Sequence, residues 1–512
     1  MSVIGIDLGT SNTCAAVVRN GCPQVILDEK GRSTLPSVMS INKKDQFYVG
    51  YMAKAQMAVQ PERTIHSAKR LLGQRYDAPD VQRLLPSLTY AILPKDDGSV
   101  GLVVGDHCFS PTEISAAVLK KVRALSETAL GEPVTDAVIS VPAHFDNIQR
   151  TETKRAAEIA GLNVLRLINE PTAAALSYGF GSGENQIIAV YDFGGGTFDI
   201  SVLEIGDGVY NVLATGGDTF LGGNDFNIAI ANWLFERFKQ KHQIDLSILQ
   251  LPRQRILDAA EYAKIQLSDA DSTHILIQNI APEHPKELNV DEVLTRAEFE
   301  RLCAPLVERS LKITDEVIAS AGNYHIDNII MVGGMTRMPL IRERVQQHFG
   351  KRINTSVNPD EAVGIGAAIQ AMALESNSDA ILLLDVIPLT ISIGVANNIC
   401  IPLIEKNTKV PHRVSKIFST SRDNQQSVII SIYQGEGSHT QDNTLLATFE
   451  LSGIRQAKRM VPQIEVSLKI DVDGILSITA VDLDTHQSQS VQVVDMNIKA
   501  MEGLDNFGDL RH

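Results

Sequence analysis

One short pattern that occurs twice constrains the fold most. Ile4-Gly5-Ile6-Asp7-Leu8-Gly9-Thr10 and Ala189-Val190-Tyr191-Asp192-Phe193-Gly194-Gly195-Gly196-Thr197 each have the pattern of a strand ending in Asp, an apolar residue, glycine and a nearby threonine. Glycine lets backbone N–H groups approach phosphate oxygens closely, and aspartate can hold Mg²⁺ through its water shell. Two such hairpins facing each other would grip a triphosphate between two similar lobes. Two tight turns with buried aspartates are the alternative.

Composition limits the other classes of function. The chain has 512 residues, which predicts two to four domains, and a formal net charge of -15, which argues against a nucleic-acid-binding surface. Five scattered cysteines without a CxxC pair favour a reducing compartment over a metal site or a disulfide framework. We find neither an N-terminal signal nor an apolar run that spans a bilayer, so we expect a cytoplasmic protein without a membrane partner.

The pattern of elements changes once along the chain. Up to about Leu374 strands and helices alternate, as in Ser110-Pro111-Thr112-Glu113, which predicts a helix start, with Gly131 as its stop. A polar break at residues 375–379 follows. After Pro388 strict alternation and an Asp473-Gly474 turn predict an antiparallel β-sandwich of about 110 residues. From about Asn497 we expect a loosely ordered polar stretch.

Two further groups of residues are candidates for contact with a nucleoside. A predicted strand runs into Gly333-Gly334, and Arg337 beyond it could stack on a base, although a plain strand-to-helix turn explains the pattern equally well. Glu261, Lys264 and Ser268 share one face of a predicted helix. Taken alone, Glu261 and Lys264 favour a solvated ion pair. Together with the repeated hairpins, the three residues could contact the nucleoside.

These residues resemble the DnaK family, the seventy-kilodalton heat-shock proteins, within the actin-like ATPase superfamily. The specific motifs are Gly5-Ile6-Asp7-Leu8-Gly9-Thr10, Asn169-Glu170-Pro171-Thr172-Ala173-Ala174-Ala175, Asp192-Phe193-Gly194-Gly195-Gly196-Thr197-Phe198-Asp199 and Gly216-Gly217-Asp218-Thr219-Phe220-Leu221-Gly222-Gly223. Ile381-Leu382-Leu383-Leu384-Asp385 matches the family's linker. The match extends to about residue 495, and the shortened form looks closest to the HscC-like branch, without the family's helical lid.

The resemblance implies an α/β actin-like two-lobed ATPase domain followed by an antiparallel β-sandwich domain. The ATPase domain would cover residues 1–375, with lobe I at about 1–183 and lobe II at about 184–375. An interdomain linker at 376–386, a peptide-binding domain at 387–495 and a polar tail at 496–512 would follow.

The resemblance also implies a role for individual residues of the ATPase domain. Lys69 matches the lysine that contacts the γ-phosphate and helps to place the attacking water. Thr10 and Thr197 match the hydroxyls of the phosphate hairpins. Asp7, Glu170, Asp192 and Asp199 match the acids around Mg²⁺, potassium ions and the nucleophilic water. The remaining nucleotide-binding matches are Gly9, Ser11, Asn12, Gly194, Gly195, Gly196, Gly222, Gly223, Glu261, Lys264, Ser268, Gly333, Gly334, Arg337 and Asp360.

Two more sets follow from the same resemblance. The switch that links the domains is matched by Pro142, Arg150, Arg166, Leu382, Leu383, Leu384 and Asp385. The peptide groove is matched by Ile393, Val395, Ala396, Phe418, Ser421, Val428 and Ile430, with Val428 at the pocket floor. From the sequence alone, Pro142 is an ordinary strand end and the groove residues are the core of a sandwich.

Several positions depart from the family pattern. Asn224 stands where an acid is usual, which puts one polar contact near the nucleotide in doubt. Asn211 replaces an acid offered to the J-domain partner, and the small Ala396 and Ser421 imply a more open arch over the peptide. The region 281–289 looks shortened, which leaves open whether a GrpE-type exchange factor docks.

The function that the resemblance implies is that of an ATP-hydrolysing chaperone for unfolded polypeptides, active in protein folding and the stress response. ATP, ADP, Mg²⁺ and K⁺ would be its small-molecule ligands and a J-domain protein its co-chaperone. One alternative is an actin-like sugar kinase or filament protein, which the fold alone allows. Another is a relative of the exchange factors that does not hydrolyse ATP, which the presence of Lys69, Thr10 and Thr197 disfavours.

Overall fold

The computed structural model describes residues 2–180, 185–281, 287–376, 381–492 and 510–511. The elements before residue 180 are β1 (Val3–Leu8), β2 (Asn12–Arg19), β3 (Cys22–Val25), β4 (Thr34–Pro36), β5 (Met39–Ile41), β6 (Phe47–Val49), α1 (Tyr51–Met57), β7 (Thr64–Ile65), α2 (Pro79–Leu84), β8 (Ala91–Pro94), β9 (Val100–Val104), β10 (His107–Phe109), α3 (Pro111–Leu130), β11 (Asp136–Val141), α4 (Asn147–Ile159), β12 (Asn163–Asn169) and α5 (Glu170–Gly179).

The next elements extend to residue 375. They are β13 (Gln186–Phe193), β14 (Phe198–Gly206), β15 (Val209–Asp218), α6 (Gly223–His242), α7 (Gln250–Gln266), β16 (Ser272–Ile277), β17 (Val290–Thr295), α8 (Arg296–Ala321), β18 (Asn328–Val332), α9 (Pro339–Phe349) and α10 (Ala362–Glu375). The alternation of strands and helices predicted up to Leu374 is confirmed.

The remaining elements are almost all strands. They are β19 (Leu382–Leu384), β20 (Ile391–Val395), β21 (Ile399–Ile404), β22 (His412–Thr420), β23 (Ser427–Gln434), β24 (Thr444–Ser452), β25 (Ile464–Ile470), β26 (Leu476–Asp482), β27 (Ser488–Gln492) and β28 (Leu510–Arg511). No helix in the part of the chain that the structure describes is long and apolar enough to cross a bilayer.

The two copies of the repeated motif occupy equivalent strands of two sheets. In the first sheet, β12-β11-β1-β2-β3, strand β1 lies parallel to β11 and antiparallel to β2. In the second, β18-β13-β14-β15-β19, strand β13 lies parallel to β18 and antiparallel to β14. Each motif therefore ends a central strand and opens the turn into an antiparallel neighbour.

Helix α10 lies in the centre, packed against β1 and α5. The packing leaves no room for a side chain at two glycines. A Cβ on Gly5 would lie 2.0 Å from the backbone nitrogen of Ala368, and one on Gly366 would lie 1.7 Å from the carbonyl oxygen of Ala173. Glycine is thus required where the helix crosses the strand and the second helix.

Helix α3 has the boundaries that the sequence predicts. The Ser110 Oγ accepts a hydrogen bond from the Glu113 N–H at 3.2 Å, while the Glu113 carboxylate accepts one from the Ser110 N–H at 2.7 Å. Pro111 takes the first helical position, and Gly131 ends the helix with φ 74°. This reciprocal capping satisfies backbone donors that the first turn leaves unpaired.

Strands β20–β27 form two antiparallel sheets over a single core. One sheet has the order β21-β20-β23-β24, and the other has the order β27-β26-β25-β22-β28. Buried side chains from both sheets, among them Ile393, Ile432, Val466 and Ile478, belong to one hydrophobic cluster. The predicted turn joins β25 to β26, where Gly474 has φ 78°.

The residues that match the family's linker form strand β19, which adds to the edge of the second sheet. It lies parallel to β15, with Leu382 opposite Val209, Leu383 opposite Tyr210 and Leu384 opposite Asn211. Leu383 is 7% exposed and packs into a core cluster, whereas Leu382 is 49% exposed. Of the polar break predicted at residues 375–379, residues 377–379 lie outside the described residues.

The prediction of a loosely ordered stretch from about Asn497 needs correction at one place. Residues 493–509 and residue 512 lie outside the described residues, but Leu510–Arg511 forms strand β28 beside β22. Polar composition led us to expect no regular structure there. Backbone pairing with a strand edge is independent of side-chain type, which is why the composition did not indicate it.

Candidate functional site

The turns of the two repeated motifs face each other at close range. A Cβ on Gly195 would lie 2.2 Å from the Oγ of Ser11, and one on Gly196 would lie 2.5 Å from the Cγ2 of Thr10. Glycine is the only residue that fits at these two positions without displacing the opposite turn. The structure thus brings together the two hairpins that the sequence predicts to oppose each other.

The second hairpin also contacts the start of helix α6. The Gly223 N–H donates to the Gly194 carbonyl at 3.0 Å, and the Asn224 N–H donates to the Gly195 carbonyl at 2.8 Å. A Cβ on Gly222 would lie 2.5 Å from the Gly196 backbone. Helix α6 therefore begins directly against the second hairpin, and its first backbone N–H groups are used to hold that hairpin in place.

The hairpin residues whose hydroxyl or amide groups are candidates for nucleotide binding differ in solvent exposure. Thr10 and Thr197 are buried, while Ser11 is half-buried and Asn12, at the start of β2, is exposed. Gly9 is fixed by its carbonyl, which accepts a hydrogen bond of 2.8 Å from the Ser37 hydroxyl. The threonines are therefore enclosed and Asn12 lies at the rim.

Four acids lie around these turns. Glu170, Asp192 and Asp199 are buried, and Asp7 accepts a hydrogen bond of 3.0 Å from the Ser140 hydroxyl. Burial, followed by repulsion from Glu170, raises the pKa of Asp7 to about 7 and that of Asp199 to about 8. The same two causes raise the pKa of Asp192 well above its usual range. The cluster therefore holds more negative charge than the protein alone neutralises.

Lys69 supplies the positive charge nearest to this cluster. Its Nζ donates to a Glu170 carboxylate oxygen at 2.7 Å, and both side chains are almost fully buried. The Nζ also lies 5.4 Å from the centre of the Phe145 ring. Attraction to Lys69 acts to lower the pKa values of Asp7, Asp192 and Asp199, but burial and mutual repulsion outweigh it.

The acids fit a divalent cation on charge grounds. Carboxylate oxygens are the ligands that Mg²⁺ prefers, and a cation would relieve the repulsion that raises these pKa values. Among the described residues no group of three or more His, Cys, Asp or Glu is arranged to hold a metal ion directly. The case for Mg²⁺ here accordingly depends on the charge of the cluster and on water-mediated contact.

The helix α7 candidates are only partly arranged as expected. Lys264 is enclosed and donates to the Gly223 carbonyl at 3.0 Å, and burial lowers its pKa to about 8. Glu261 pairs with Lys54 at 3.2 Å, so the ion pair between Glu261 and Lys264 considered from their spacing does not form. The prediction that Ser268 shares a helix face with the other two was wrong, because α7 ends at Gln266 and Ser268 lies in the turn beyond.

The glycine pair after β18 lies against the second hairpin. Gly333 has φ 80°, and a Cβ there would lie 2.4 Å from the Phe193 carbonyl oxygen. Arg337 donates to the Asp360 carboxylate at 2.7 Å, and a Cβ on Gly334 would lie 3.6 Å from Asp360. Gly334, Arg337 and Asp360 are therefore neighbours beside the cleft, as expected for residues that contact one ligand.

Three contacts that join residues 54–70 to helices α6 and α7 were not predicted. Lys54 reaches Glu261, Arg70 donates to Asp225 at 3.1 Å, and Asn224 donates to the Ser67 hydroxyl at 2.9 Å. Each joins residues more than 150 positions apart, and neither periodicity nor a motif marks them. The last contact shows where the amide of Asn224, left in doubt by the sequence, is held.

The residues matched to a peptide groove lie on three strands. Ile393, Phe418, Val428 and Ile430 are 2% exposed or less, and Val395 is 8% exposed. Ala396 and Ser421, at the ends of β20 and β22, are half-buried. The apolar members belong to the core cluster, so burial alone is equally consistent with a plain sandwich core.

Arg150 links the acid-bearing part of the chain to the turn after β25. Its guanidinium donates to the Asn169 side-chain oxygen at 2.7 Å, to the Ala143 carbonyl at 3.2 Å and to the Asp473 carbonyl at 3.3 Å. The Asp473 carboxylate accepts from the Leu167 N–H at 2.9 Å. The candidate switch residue thus spans both parts of the chain.

The other switch candidates surround Arg150. Pro142 is buried at the end of β11, and its carbonyl accepts a hydrogen bond of 3.1 Å from the Phe145 N–H. Asp385 is buried and accepts from the Thr172 hydroxyl at 3.2 Å. Arg166 and Asp385 line one cavity with Arg150. The structure therefore brings four of the switch candidates, Arg150, Arg166, Leu383 and Asp385, to the lining of one cavity.

A second contact holds the loop before β22 against strand β15 and the end of helix α8. The Asn407 side chain donates to the Ser320 hydroxyl at 2.6 Å, and Lys409 donates to Asn211 and to the Val212 carbonyl. Asn211, noted as a departure from the family pattern, therefore takes part in this interface.

A protein-family model provides the comparison with known proteins. The model described as Hsp70 protein matches residues 3–507, which is nearly the whole chain. The hairpins that face each other, the acid cluster with its lysine and strand β19 all lie inside the matched range. The chain belongs to the Hsp70 family.

Proposed function

We propose that the protein is a chaperone that couples ATP hydrolysis in the cleft between the hairpins to the affinity of a β-sandwich for extended apolar peptides. Members of the Hsp70 family are ATP-dependent chaperones that hydrolyse ATP, so family membership implies this activity in outline. The observation that carries the coupling is the pairing of β19 with β15, with Leu383 buried beside the ATPase core.

In the proposed reaction the two hairpins bind the phosphates of ATP through backbone N–H groups. Thr10 and Thr197 add hydroxyl donors, and Lys69 neutralises charge on the γ-phosphate. Glu170 and Asp199 accept hydrogen bonds from the attacking water and orient it. Mg²⁺, held through waters by Asp7 and Asp192, would supply further charge neutralisation, and we propose K⁺ as a second cation.

The nucleoside would lie between α7 and the turn after β18. Lys264 is already directed at the Gly223 carbonyl, and Arg337 is fixed by Asp360. These two cations, with Glu261 at the edge, leave a polar surface for ribose and base. Ser268 lies past the end of the helix, and its proposed contact is the weakest of the set.

Coupling would run along the contacts between the two parts of the chain. Arg150 contacts Asn169, the residue next to Glu170, and also the backbone of Asp473. A shift of Glu170 on loss of the γ-phosphate would therefore reach the turn between β25 and β26. Undocking of that turn and of β19 would free the sandwich to hold peptide.

The peptide would lie extended at the edge of β22, fixed by main-chain hydrogen bonds, with one apolar side chain in a pocket. Phe418, Val428 and Ile430 would line that pocket. Family members generally bind unfolded clients and J-domain co-chaperones. We propose the same partners here, with the HscC-like branch as the nearest type and the need for an exchange factor open to test.

Two other functions remain as contrasts. A sugar kinase or filament protein would share the fold of the ATPase part but would have no use for a linker strand and a second β domain. An exchange-factor relative without hydrolysis would not need Lys69 paired with Glu170. We favour the chaperone because a single mechanism uses both features.

Single-turnover ATP hydrolysis with and without an apolar extended peptide tests the proposal. We expect the peptide to accelerate hydrolysis several-fold, and Val428→Phe to abolish the acceleration without changing the basal rate. Acceleration by a sugar in place of peptide would contradict the proposal. Absence of hydrolysis under any condition would favour the exchange-factor relative.

A further inference from the structure

Strand β28 takes an edge of the sheet that contains β22. It runs antiparallel to β22, with Leu510 opposite Thr420 and Arg511 opposite Ser419. The other side of β22 is occupied by β25, through Phe418 opposite Ile464. Strand β28 also approaches β20 and β23 of the neighbouring sheet. It therefore lies where three strands that carry the groove candidates come together.

This edge is where an extended peptide would bind. A strand edge offers a row of backbone donors and acceptors, and adding a strand is a common way of recognising extended chains. In this structure the partner of that edge is a segment of the same chain. The position at Ser419 and Thr420 is thus occupied by main-chain pairing of the type that a client would make.

We propose that the segment containing Leu510–Arg511 is an internal ligand of the peptide groove, which clients must displace. The inference rests on the proposed peptide-binding function. It adds a self-recognition step: the free chaperone is partly inhibited by its own strand, and the accessible groove is the form in which β28 has left β22.

The lengths allow this pairing within one chain. Strands β27 and β28 lie at opposite edges of a five-stranded sheet, which places them about 19 Å apart at the usual interstrand spacing. Residues 493–509 connect them and could span roughly 55 Å if extended. One chain therefore has ample length to place β28 at this edge, and a second copy is not required.

The pairing is of a kind that a client can reverse. Within the described residues, the pairing of β28 with β22 comprises two residue pairs. The Thr420 hydroxyl is fully buried and has no hydrogen-bond partner among the residues that the structure describes. A buried hydroxyl without a partner is unfavourable, so a client that offers an acceptor there would bind better than β28 does.

The tether makes a weak contact effective. A strand joined to its site by a short stretch of the same chain has an effective concentration of about 1 mM there. If the free segment bound with a Kd of about 0.1 mM, it would raise the apparent Kd of an external peptide about tenfold. This is the size of effect that the experiment must resolve.

Proline tests the pairing without relying on any side-chain contact. The double variant Leu510→Pro/Arg511→Pro removes both backbone donors of β28. The matched control is Glu502→Pro/Gly503→Pro, two prolines placed outside the paired strand. For both variants and the unaltered chain, fluorescence anisotropy gives the Kd of a labelled apolar peptide in ADP. Hydrogen exchange at residues 418–421 reports the β22 edge in the absence of peptide.

We expect faster exchange at 418–421 and about tenfold tighter peptide binding in the β28 variant only. Unchanged exchange, or faster exchange with unchanged peptide affinity, would overturn the inference. A difference that grows with protein concentration would assign β28 to a second copy and overturn pairing within one chain. If neither variant nor the unaltered chain binds peptide, the proposed function itself fails. Equal binding of peptide by all three proteins would instead overturn the inference about β28 and leave the proposed function standing.

Discussion

The Lys69 ammonium lies 2.7 Å from a carboxylate oxygen of Glu170, with both groups almost fully buried. Buried ion pairs gain little net stability over an apolar core, but losing one partner leaves a costly unpaired charge. Lys69 here faces four acids rather than one.

Lys69→Ala should bind ATP and lose most hydrolysis. Removing a fixed charge next to the reacting phosphate typically lowers the rate by about 10²-fold or more. Single-turnover kinetics and ATP affinity are the measurements, with Lys120→Ala, on the exposed face of α3, as the control. The variant should also unfold more easily without nucleotide, because Glu170 loses its partner. A near-normal rate would remove Lys69 from the reaction.

Asp199→Asn should separate stability from activity. The amide keeps the oxygen that accepts from the His144 N–H at 3.0 Å, but it removes a carboxyl group whose ionisation burial and repulsion from Glu170 oppose. Because a carboxyl group with a raised pKa costs stability near neutral pH, its loss should stabilise the nucleotide-free protein by about 1 kcal/mol or more, while Mg²⁺-dependent hydrolysis falls. Thermal unfolding and a Mg²⁺ titration of the rate measure the two effects. A variant with lower stability and an unchanged rate would mean that Asp199 is structural.

The sequence predicted the parts of the site that have local patterns. The facing hairpins were predictable because each is one strand, one acid and one glycine turn. The contacts of Lys54 with Glu261 and of Asn224 with Ser67 were not, since they depend on how distant helices pack. Glu261 and Lys264 illustrate the difference. Both residues lie on helix α7, as their spacing predicted, but they do not pair with each other. Glu261 pairs with Lys54, and Lys264 donates to the Gly223 carbonyl.

His66 should make stability depend on pH in the acid range. Its ring packs edge-on against Tyr90, its Nε2 has no partner among the described residues, and burial lowers its pKa to about 4. The unfolded chain therefore binds a proton at His66 between about pH 6.5 and 4 that the folded chain does not. The stability present above pH 6.5 is lost as pH falls through this window.

His66→Phe should reduce this loss by about 1–3 kcal/mol between pH 6.5 and 4. Urea unfolding of both proteins across that range is the measurement, and the difference between them removes the contribution of the carboxylates. At pH 7.5 this histidine is uncharged in the folded and unfolded states, so the free energy of unfolding of each protein at that pH is the reference for its own loss at lower pH. Parallel stability curves for the two proteins would show that His66 is protonated in the folded state.

The pair Lys154–Asp473 should couple the two parts of the chain. The Lys154 Nζ lies 3.2 Å from one Asp473 oxygen, while the other accepts from the Leu167 N–H at 2.9 Å. A double-mutant cycle with Lys154→Met and Asp473→Asn should give an interaction energy of about 0.5–1 kcal/mol for docking. Hydrogen exchange at residues 381–385 in ATP measures docking in all four proteins. Additive effects would show that the pair does not contribute to docking.

The fold was predictable where strand and helix periods are strong, as in α3 with its capping residues and β25–β26 with their turn. The placement of β19 was not, because Leu382, Leu383 and Leu384 form an apolar run with no periodicity to assign a face. The same holds for β28, whose pairing uses backbone groups. Both strands join a sheet edge that only the assembled chain creates.

At the edge where β19 pairs with β15, two neighbouring leucines differ in solvent exposure. Leu383 is buried in a core cluster, whereas Leu382 is about half exposed. Leu383→Asp would bury an unpaired charge, so β19 should leave β15 and peptide should no longer accelerate hydrolysis. Leu382→Asp is the matched control, since its charge can stay in water, and it should keep most of the acceleration.

Affinities for ATP and for peptide should change little in either variant, because the linker contributes to neither site. The measurements are single-turnover hydrolysis with and without peptide, the two affinities, and protease cleavage at residues 381–385 in ATP and ADP. We expect Leu383→Asp to be cleaved equally in both nucleotides and Leu382→Asp to stay protected in ATP. Equal loss of coupling in both variants would show that the apolar character of the whole run matters. Retained coupling in Leu383→Asp would mean that β19 pairing does not transmit the signal, and Arg150 with Asp473 would then be the remaining connection.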